Sequence, residues 1–359
     1  MNNQQKWIIR QYLPDDEDQI FQLRNAVRPE EHYNRNEWLQ WWHWTYKVIP
    51  EGSKIWLLEI DGKIVGLFSL LYTNMKIGDR TIKTAQSIDE STHPDYRRRG
   101  VMSALQTHVI AEETQNGIEV FFGFPTDMAY TKDIKLGYLK VDELKKIYRV
   151  LHWDNALRNR ISCGILRKLI SIVVGGISGI VCKKDKLSVD QEIQIYKIDS
   201  FDERINNFWD RVSKQINICA VRNNERLNWR YATVPNTKYE IFQAEKAGIV
   251  YGYIVLRYLM RRESRVAVIY DLMAETEEVS QYLLQTAIEE SRANDIDYIY
   301  WAGISNERYQ KAFKERGFIQ LQIGQLSRFL VYSRIKSISQ DFLTKPENWL
   351  VQIGDSDQL

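Results

Sequence analysis

Three arginines and a glycine in a row, Arg97-Arg98-Arg99-Gly100, carry the strongest chemical signal in the chain. An extended stretch, Thr81 to Ser91, precedes them, and a helical pattern with Leu105, Val109 and Ile110 on one face follows. A strand therefore ends, the backbone turns at Gly100, and a helix begins. The first amides of a helix have no internal partner and sit at the positive end of its dipole, where a phosphate is favoured. Three guanidinium groups add charge at the same place. The chemistry that fits is binding of a di- or triphosphate.

Other residues with chemical potential are scattered more thinly. Asp89 and Glu90 lie on the strand before the arginines, and His93 precedes Pro94 where that strand ends. Successive strand residues face opposite sides, so only one of the two carboxylates is expected in a cleft. Tyr130 follows the next short apolar strand, Glu119 to Phe124. No Ser/His/Asp or Cys/His set stands out, and no Asp/Glu/His cluster has metal-ligand spacing, so no metal is expected. The cysteines Cys163, Cys182 and Cys219 have no paired spacing, which points away from zinc and from a disulfide framework and fits a reducing cytoplasm.

The elements that must position these groups follow from pattern. Trp7 to Tyr12 alternates as a strand, and Pro14-Asp15-Asp16 starts a helix that runs to about Val27. A second helix carries Trp38, Trp41, Trp42 and Trp44, aromatics that either pack it onto a sheet or wall an acceptor groove. Asp61-Gly62 is a hairpin turn between strands Lys54–Ile60 and Lys63–Tyr72. Asn116-Gly117 closes the helix after the arginines, and Val141 to Leu151 completes the first sheet. A strand-loop-helix-strand unit with short turns predicts a parallel crossover.

The order of these parts resembles the GCN5-related N-acetyltransferases (GNAT). Arg97-Arg98-Arg99-Gly100-Val101-Met102 is similar to the family's Arg/Gln-x-x-Gly-x-Gly/Ala motif, with Met102 where Gly or Ala is usual. Thr126 to Tyr138 is similar to a second motif, with Ala129, Lys135, Gly137 and Tyr138 in place and Asp133 where the family has tyrosine. The resemblance implies that acetyl-CoA is held at Thr92, Arg97, Arg98, Arg99, Gly100, Val101, Met102 and Ser103. It implies a backbone amide between Ile88 and Thr92 that polarises the thioester carbonyl, a base for the amine proton, and an acid for the leaving thiolate. Asp89 is the base favoured here and Tyr130 the acid.

The second half repeats the plan. Gly248-Ile249-Val250-Tyr251-Gly252 parallels Gly62-Lys63-Ile64-Val65-Gly66, and Glu315-Arg316-Gly317-Phe318 parallels Lys135-Leu136-Gly137-Tyr138. Where the first half has arginines, the second has Ala274-Glu275-Thr276-Glu277-Glu278, which would repel a pyrophosphate. The expected fold is mixed α/β: two GNAT-like acyltransferase domains in tandem, an intact one at 1–152 and a degenerate one at 191–335. An apolar helical connector at 153–190 joins them, and an extension at 336–359 follows. Short strings, Leu227-Asn228-Trp229-Arg230-Tyr231 and Gly354-Asp355-Ser356-Asp357, resemble tandem-GNAT proteins of surface-polysaccharide synthesis, which implies a small amine acceptor such as an amino sugar. Trp229, Arg230 and Tyr231 either contact that acceptor or form a structural turn.

The whole chain sets outer bounds. Its 359 residues suit two domains, and 44% hydrophobic content supports sizeable cores. A net charge of +2 gives no reason to expect nucleic acid. The N-terminus has no apolar signal-peptide core, in keeping with a cytoplasmic protein. The run Ile161 to Val181 is apolar but interrupted by Arg167 and Lys168, so a buried connector is favoured over peripheral membrane contact and a span is disfavoured. Two other functions compete: an aminoacyl transferase like the FemABX enzymes, and a CoA-binding protein without activity. The basic loop argues against the first.

Overall fold

The computed structural model describes residues 7–31, 34–152, 192–304, 307–321, 327–334 and 338–356. The expected connector at 153–190, with its apolar run, Cys163 and Cys182, lies outside them. The described residues form a mixed α/β fold in two compact units, residues 1–142 with 327–345, and residues 143–326 with 346–359.

The first unit begins with β1 (Trp7–Gln11), α1 (Glu17–Val27), α2 (Arg35–Lys47), β2 (Ser53–Ile60), β3 (Lys63–Ile77) and β4 (Arg80–Thr92). It continues with α3 (Val101–Gln115), β5 (Val120–Gly123), α4 (Asp127–Lys135) and β6 (Leu139–Glu143). Local chemistry sets several of these boundaries. Asn34 accepts the Asn36 amide at 2.8 Å and starts α2. Asp61 and Gly62 both have left-handed φ, 51° and 77°, which the two-residue turn between β2 and β3 requires. Glu17 ties α1 to α2 by accepting from Tyr12, His43 and Lys47 at 2.7, 3.0 and 2.9 Å. Partial burial would raise its carboxyl, but the bonds from Lys47, Tyr12 and His43 hold it at about 2.

β7 (Lys145–Val150), β8 (Gln194–Ile198), α5 (Arg204–Val212), β9 (Ile218–Ala220) and α6 (Asn224–Leu227) open the second unit. β10 (Glu240–Lys246), β11 (Ile249–Arg261), β12 (Ser264–Ala274), α7 (Glu277–Ala293), β13 (Tyr298–Gly303), α8 (Glu307–Glu315) and β14 (Ile319–Gln320) follow. β15 (Arg328–Ser333) and α9 (Gln340–Thr344) return to the first unit.

The strand orders are β1-β2-β3-β4-β5-β15-β6 in the first unit and β14-β7-β13-β12-β11-β10-β8 in the second. In each sheet four antiparallel strands lead to one parallel pair, β4 with β5 or β12 with β13. The strand beyond that pair comes from the other half of the sequence. β15 lies antiparallel to β5, and β7 antiparallel to β13. This corrects the expectation that Val141 to Leu151 completes the first sheet. Lys145–Val150 pairs with β13 and β14 instead, and the extension expected at 336–359 is divided between the units.

The core of the first unit is one cluster between the sheet and α3. Trp56, Leu58, Phe68 and Leu70 from the sheet meet Val101, Leu105 and Val109 from the helix. Burial of such side chains stabilises by roughly 1.5–3 kcal/mol each. On α2, Trp38, Trp42 and Trp44 are buried while Trp41 is half-buried, so most of the tryptophans pack the helix.

Candidate functional site

β4 ends at Thr92, and His93 closes the turn after it. The His93 amide donates to Val65 O at 2.9 Å, and its Nδ1 accepts from the Asp95 amide at 3.4 Å. Arg98 and Gly100 then take left-handed φ values of 61° and 84°. Gly100 caps α3, and the first helical bond runs from the Ala104 amide to Gly100 O at 2.9 Å. The amides of Val101, Met102 and Ser103 precede that bond and have no helical carbonyl to reach. Arg97, Arg98 and Arg99 are exposed beside them. Arg97 Nε donates to Thr92 O at 3.4 Å, and the Arg99 guanidinium lies 5.1 Å from the Tyr96 ring. Lys63 Nζ adds a fourth cation 3.3 Å from His93 Nε2.

Two details explain how the helix start reaches the strand end. A Cβ at Gly66 on β3 would lie 2.7 Å from Val101 Cγ1 and 2.8 Å from Leu105 Cδ1, so only a residue without one lets α3 settle onto the sheet. A Cβ at Gly100 would meet nothing within 4 Å, so glycine is needed there for its φ. Met102 packs against the core cluster.

β4 and β5 pair only from Ala85–Phe121 to Ser87–Gly123, although β4 runs on to Thr92. β5 ends at Gly123, which leaves a wedge beyond Ser87 where β4 runs on to Thr92 without a β5 partner. A bulge sits within it. Ser69 pairs Ile88 and Leu67 pairs Ser91, so Asp89 and Glu90 together oppose Phe68. Asp89 has a left-handed φ of 50°. The two carboxylates take different partners. Asp89 Oδ2 accepts from Tyr46 OH on α2 at 2.6 Å, whereas Glu90 is ion-paired with Lys132 on α4. Burial pushes the Asp89 carboxyl up, while the Tyr46 hydroxyl and the charges of Arg28 and Arg24 pull it down; the net direction is upward.

Thr126 caps α4 by accepting the Ala129 amide at 3.4 Å. Tyr130 is half-buried on this helix, with the Arg328 guanidinium 4.5 Å from its ring; Arg328 is ion-paired with Asp127. Among the described residues nothing hydrogen-bonds the Tyr130 hydroxyl. Asp133, one turn on, is only 5% exposed and holds Gln106 Nε2 at 3.0 Å and Lys132 Nζ at 3.2 Å. The sequence-predicted residues therefore fall into two groups. Arg97 to Ser103 converge on the helix start. Asp89 and Tyr130 stand on β4 and on α4. Sequence reasoning passed over Gly66, Tyr46 and Lys132. A glycine inside a strand pattern signalled the first, and the i, i+4, i+8 row Trp38, Trp42, Tyr46 signalled the second.

Residues 8–138 match the family model described as an acetyltransferase (GNAT) domain. The first unit carries a GNAT domain. Solved structures with the same fold include a GCN5-related N-acetyltransferase from Anabaena variabilis ATCC 29413, 12% identical with a TM-score of 0.63, over 91% of this chain and 72% of that one. A probable N-acyltransferase from Enterococcus faecalis V583 is 10% identical with a TM-score of 0.63, over 91% and 73% of the two chains. A GCN5-related N-acetyltransferase from Kribbella flavida is 12% identical with a TM-score of 0.62, over 91% and 71%. No curated protein matches the chain.

The corresponding wedge of the second unit differs from that of the GNAT domain. β12 and β13 pair from Val266–Tyr298 to Ile269–Trp301, and β12 runs on to Ala274. Residues 351–356 of the same unit fill the space beside it. Ile304 N donates to Val351 O at 3.0 Å. The fully buried Gln352 amide accepts from Leu272 N at 3.0 Å and donates to Leu272 O at 3.1 Å. It also accepts from Trp301 Nε1 at 2.8 Å and donates to Asp271 Oδ1 at 2.7 Å. Arg230 donates to Gly354 O and Ser356 O at 2.9 and 3.1 Å. Trp229, Arg230 and Tyr231 are all buried, so the structural alternative for this turn holds. At the start of α7, Glu275 pairs with Arg211 at 3.0 Å and Glu277 with Lys311 at 2.7 Å.

Among the described residues there is no metal-type cluster of His, Cys, Asp and Glu, and no helix is long and apolar enough to cross a membrane.

Proposed function

We propose that the GNAT domain moves an acetyl group from acetyl-CoA to a primary amine of a small acceptor, with an amino sugar of surface-polysaccharide synthesis as the acceptor class. One observation carries the reading: β4 runs on past its last β5 pair to a helix start whose first amides, among the described residues, precede the first helical bond and are flanked by Arg97, Arg98 and Arg99. Acetyl-CoA supplies the activated acetyl thioester. The amides of Val101, Met102 and Ser103, with the arginines and Thr92, hold its pyrophosphate. A β4 amide between Ile88 and Thr92 hydrogen-bonds the acyl oxygen and stabilises negative charge there. Asp89, whose carboxyl burial pushes upward, accepts the amine proton. The Tyr130 hydroxyl, which has no hydrogen-bond partner among the described residues, donates a proton to the departing sulfur.

The second unit is read as a degenerate copy that binds no acyl donor. Its wedge is filled by Gln352 and its neighbours, and its helix start carries glutamates where the first has arginines. The presence of Asp133 at the family's tyrosine position keeps a binding protein without activity as the second reading. Thiol release from acetyl-CoA over a panel of amines separates the two. Tyr130→Phe is expected to lower kcat about 100-fold with CoA affinity unchanged. Equal turnover, with the chemical step rate-limiting, would remove Tyr130 from the mechanism.

A further inference from the structure

The α2 helix places one hydroxyl directly on the proposed base. Tyr46 OH donates to Asp89 Oδ2 at 2.6 Å. The tyrosine is firmly held. It is 6% exposed, its carbonyl accepts from Ser53 Oγ at 2.7 Å, and its ring centroid is 4.4 Å from that of Trp42. Trp42 in turn meets Trp38 at 5.1 Å and Tyr12 at 5.9 Å. The row Trp38, Trp42, Tyr46 therefore forms a buried aromatic column that ends in the Tyr46 hydroxyl. The aspartate it meets is in an unusual state. Left-handed backbone at a non-glycine residue is uncommon and costs of order 1–3 kcal/mol, so the surroundings must hold it.

We propose that Tyr46 is a positioning residue for acyl transfer, fixing Oδ2 of Asp89 at the bulge and leaving Oδ1 to accept the amine proton. The inference rests on the reading of Asp89 as the base. It also gives the aromatic column of α2 a purpose beyond packing: the column transmits the rigidity of the core to one carboxylate.

The charges around Asp89 are Arg24 on α1, Arg28 and Glu31 after it, Tyr46 on α2, and the neighbouring Glu90 paired with Lys132 on α4. The arginines and the tyrosine favour the carboxylate; Glu31 and burial oppose it. A lost hydrogen bond to the charged form raises the carboxyl further. In Tyr46→Phe the acid limb of the pH profile of kcat/KM should therefore move to higher pH by roughly one unit. KM for acetyl-CoA should stay the same.

The experiment compares pH profiles of wild type, Tyr46→Phe and Asp89→Asn, with melting temperatures as a folding control. The expected result is a shifted limb in Tyr46→Phe and its disappearance, with most of the activity, in Asp89→Asn. An unmoved limb in a folded Tyr46→Phe, with the limb gone in Asp89→Asn, overturns the role of Tyr46 and leaves Asp89 as base. A limb and turnover that survive Asp89→Asn overturn the base assignment itself. Should Tyr46→Phe fold poorly, 3-fluorotyrosine at position 46 keeps the packing and strengthens the donor. The limb should then move to lower pH, and no movement overturns the proposal.

Discussion

Calorimetry with acetyl-CoA is expected to show one site per chain in the unaltered protein and no binding in Gly100→Asp. The argument has two parts. Position 100 has a φ of 84°, which aspartate adopts at a cost of roughly 1–2 kcal/mol. More importantly, the new carboxylate stands at the N-cap of α3, beside the amides of Val101, Met102 and Ser103. There it accepts from the same donors and presents negative charge where the proposed pyrophosphate would sit. Aspartate is itself a good N-cap and suits the helix dipole, so the strain is largely offset and the fold should survive. Unchanged melting with lost binding is the expected signature. Gly100→Ala separates the two parts, since it keeps the strain without the charge and should weaken binding only modestly. Two sites per chain, or undiminished affinity in Gly100→Asp, would show that the nucleotide lies elsewhere.

Arg222→Met should cause the largest loss of stability. Arg222 is 3% exposed and bonds two carboxylates, Asp271 at 3.1 Å and Asp355 at 2.8 Å. Asp271 is 2% exposed and also accepts from Tyr231 and Tyr253 at 3.2 Å each. Removing one partner of a buried pair strands the other charges, at a cost of about 3–5 kcal/mol. A thermal melt should show a clear drop. The pH dependence identifies the cause. Burial pushes the Asp271 carboxyl up, Arg222 pulls it down and Asp355 pushes it up. Without the guanidinium, its folded value rises further above the unfolded one. A carboxyl raised in this way costs stability as pH climbs from the unfolded value towards the folded one, and the cost disappears on acidification. The gap between variant and wild type should therefore narrow from pH 8 to pH 5. A gap independent of pH would mean that lost packing, not unpaired charge, dominates.

The strand-to-helix turn at Gly100 was legible because everything it needs is contiguous. One glycine with left-handed φ, three arginines and the first turn of a helix occupy residues 97–103. The hairpin at Asp61-Gly62 and the parallel crossover were legible for the same reason, since turn chemistry and periodicity act locally. What escaped depends on distant partners. Alternation marks Lys145–Val150 as a strand, but it does not say which sheet has the vacant edge. Nothing near Gln352 in sequence reveals that its amide meets Leu272, 80 residues away. Sequence left Trp229-Arg230-Tyr231 open between acceptor contact and a structural turn, because it does not show that Arg230 is spent on the carbonyls of Gly354 and Ser356. Strand alternation said only that one of Asp89 and Glu90 faces a cleft, and Asp89 was favoured. The bulge breaks that alternation, and the distinction instead lies in their partners, Tyr46 and Lys132.

Strands β7 and β15 each sit in a sheet whose other central strands come from the opposite half of the sequence. A fragment ending in the stretch 153–191 would retain β7 with no β13 to receive it, and β5 would face solvent without β15. The complementary fragment would have the mirror-image deficit. Bare strand edges of this kind invite aggregation. Neither half is a sensible unit for expression, and a nonsense mutation in the middle of the gene would leave no working first half. Supplied together, the two fragments have a templated way to find each other, each offering the strand the other lacks. That is the geometry on which split-protein complementation depends.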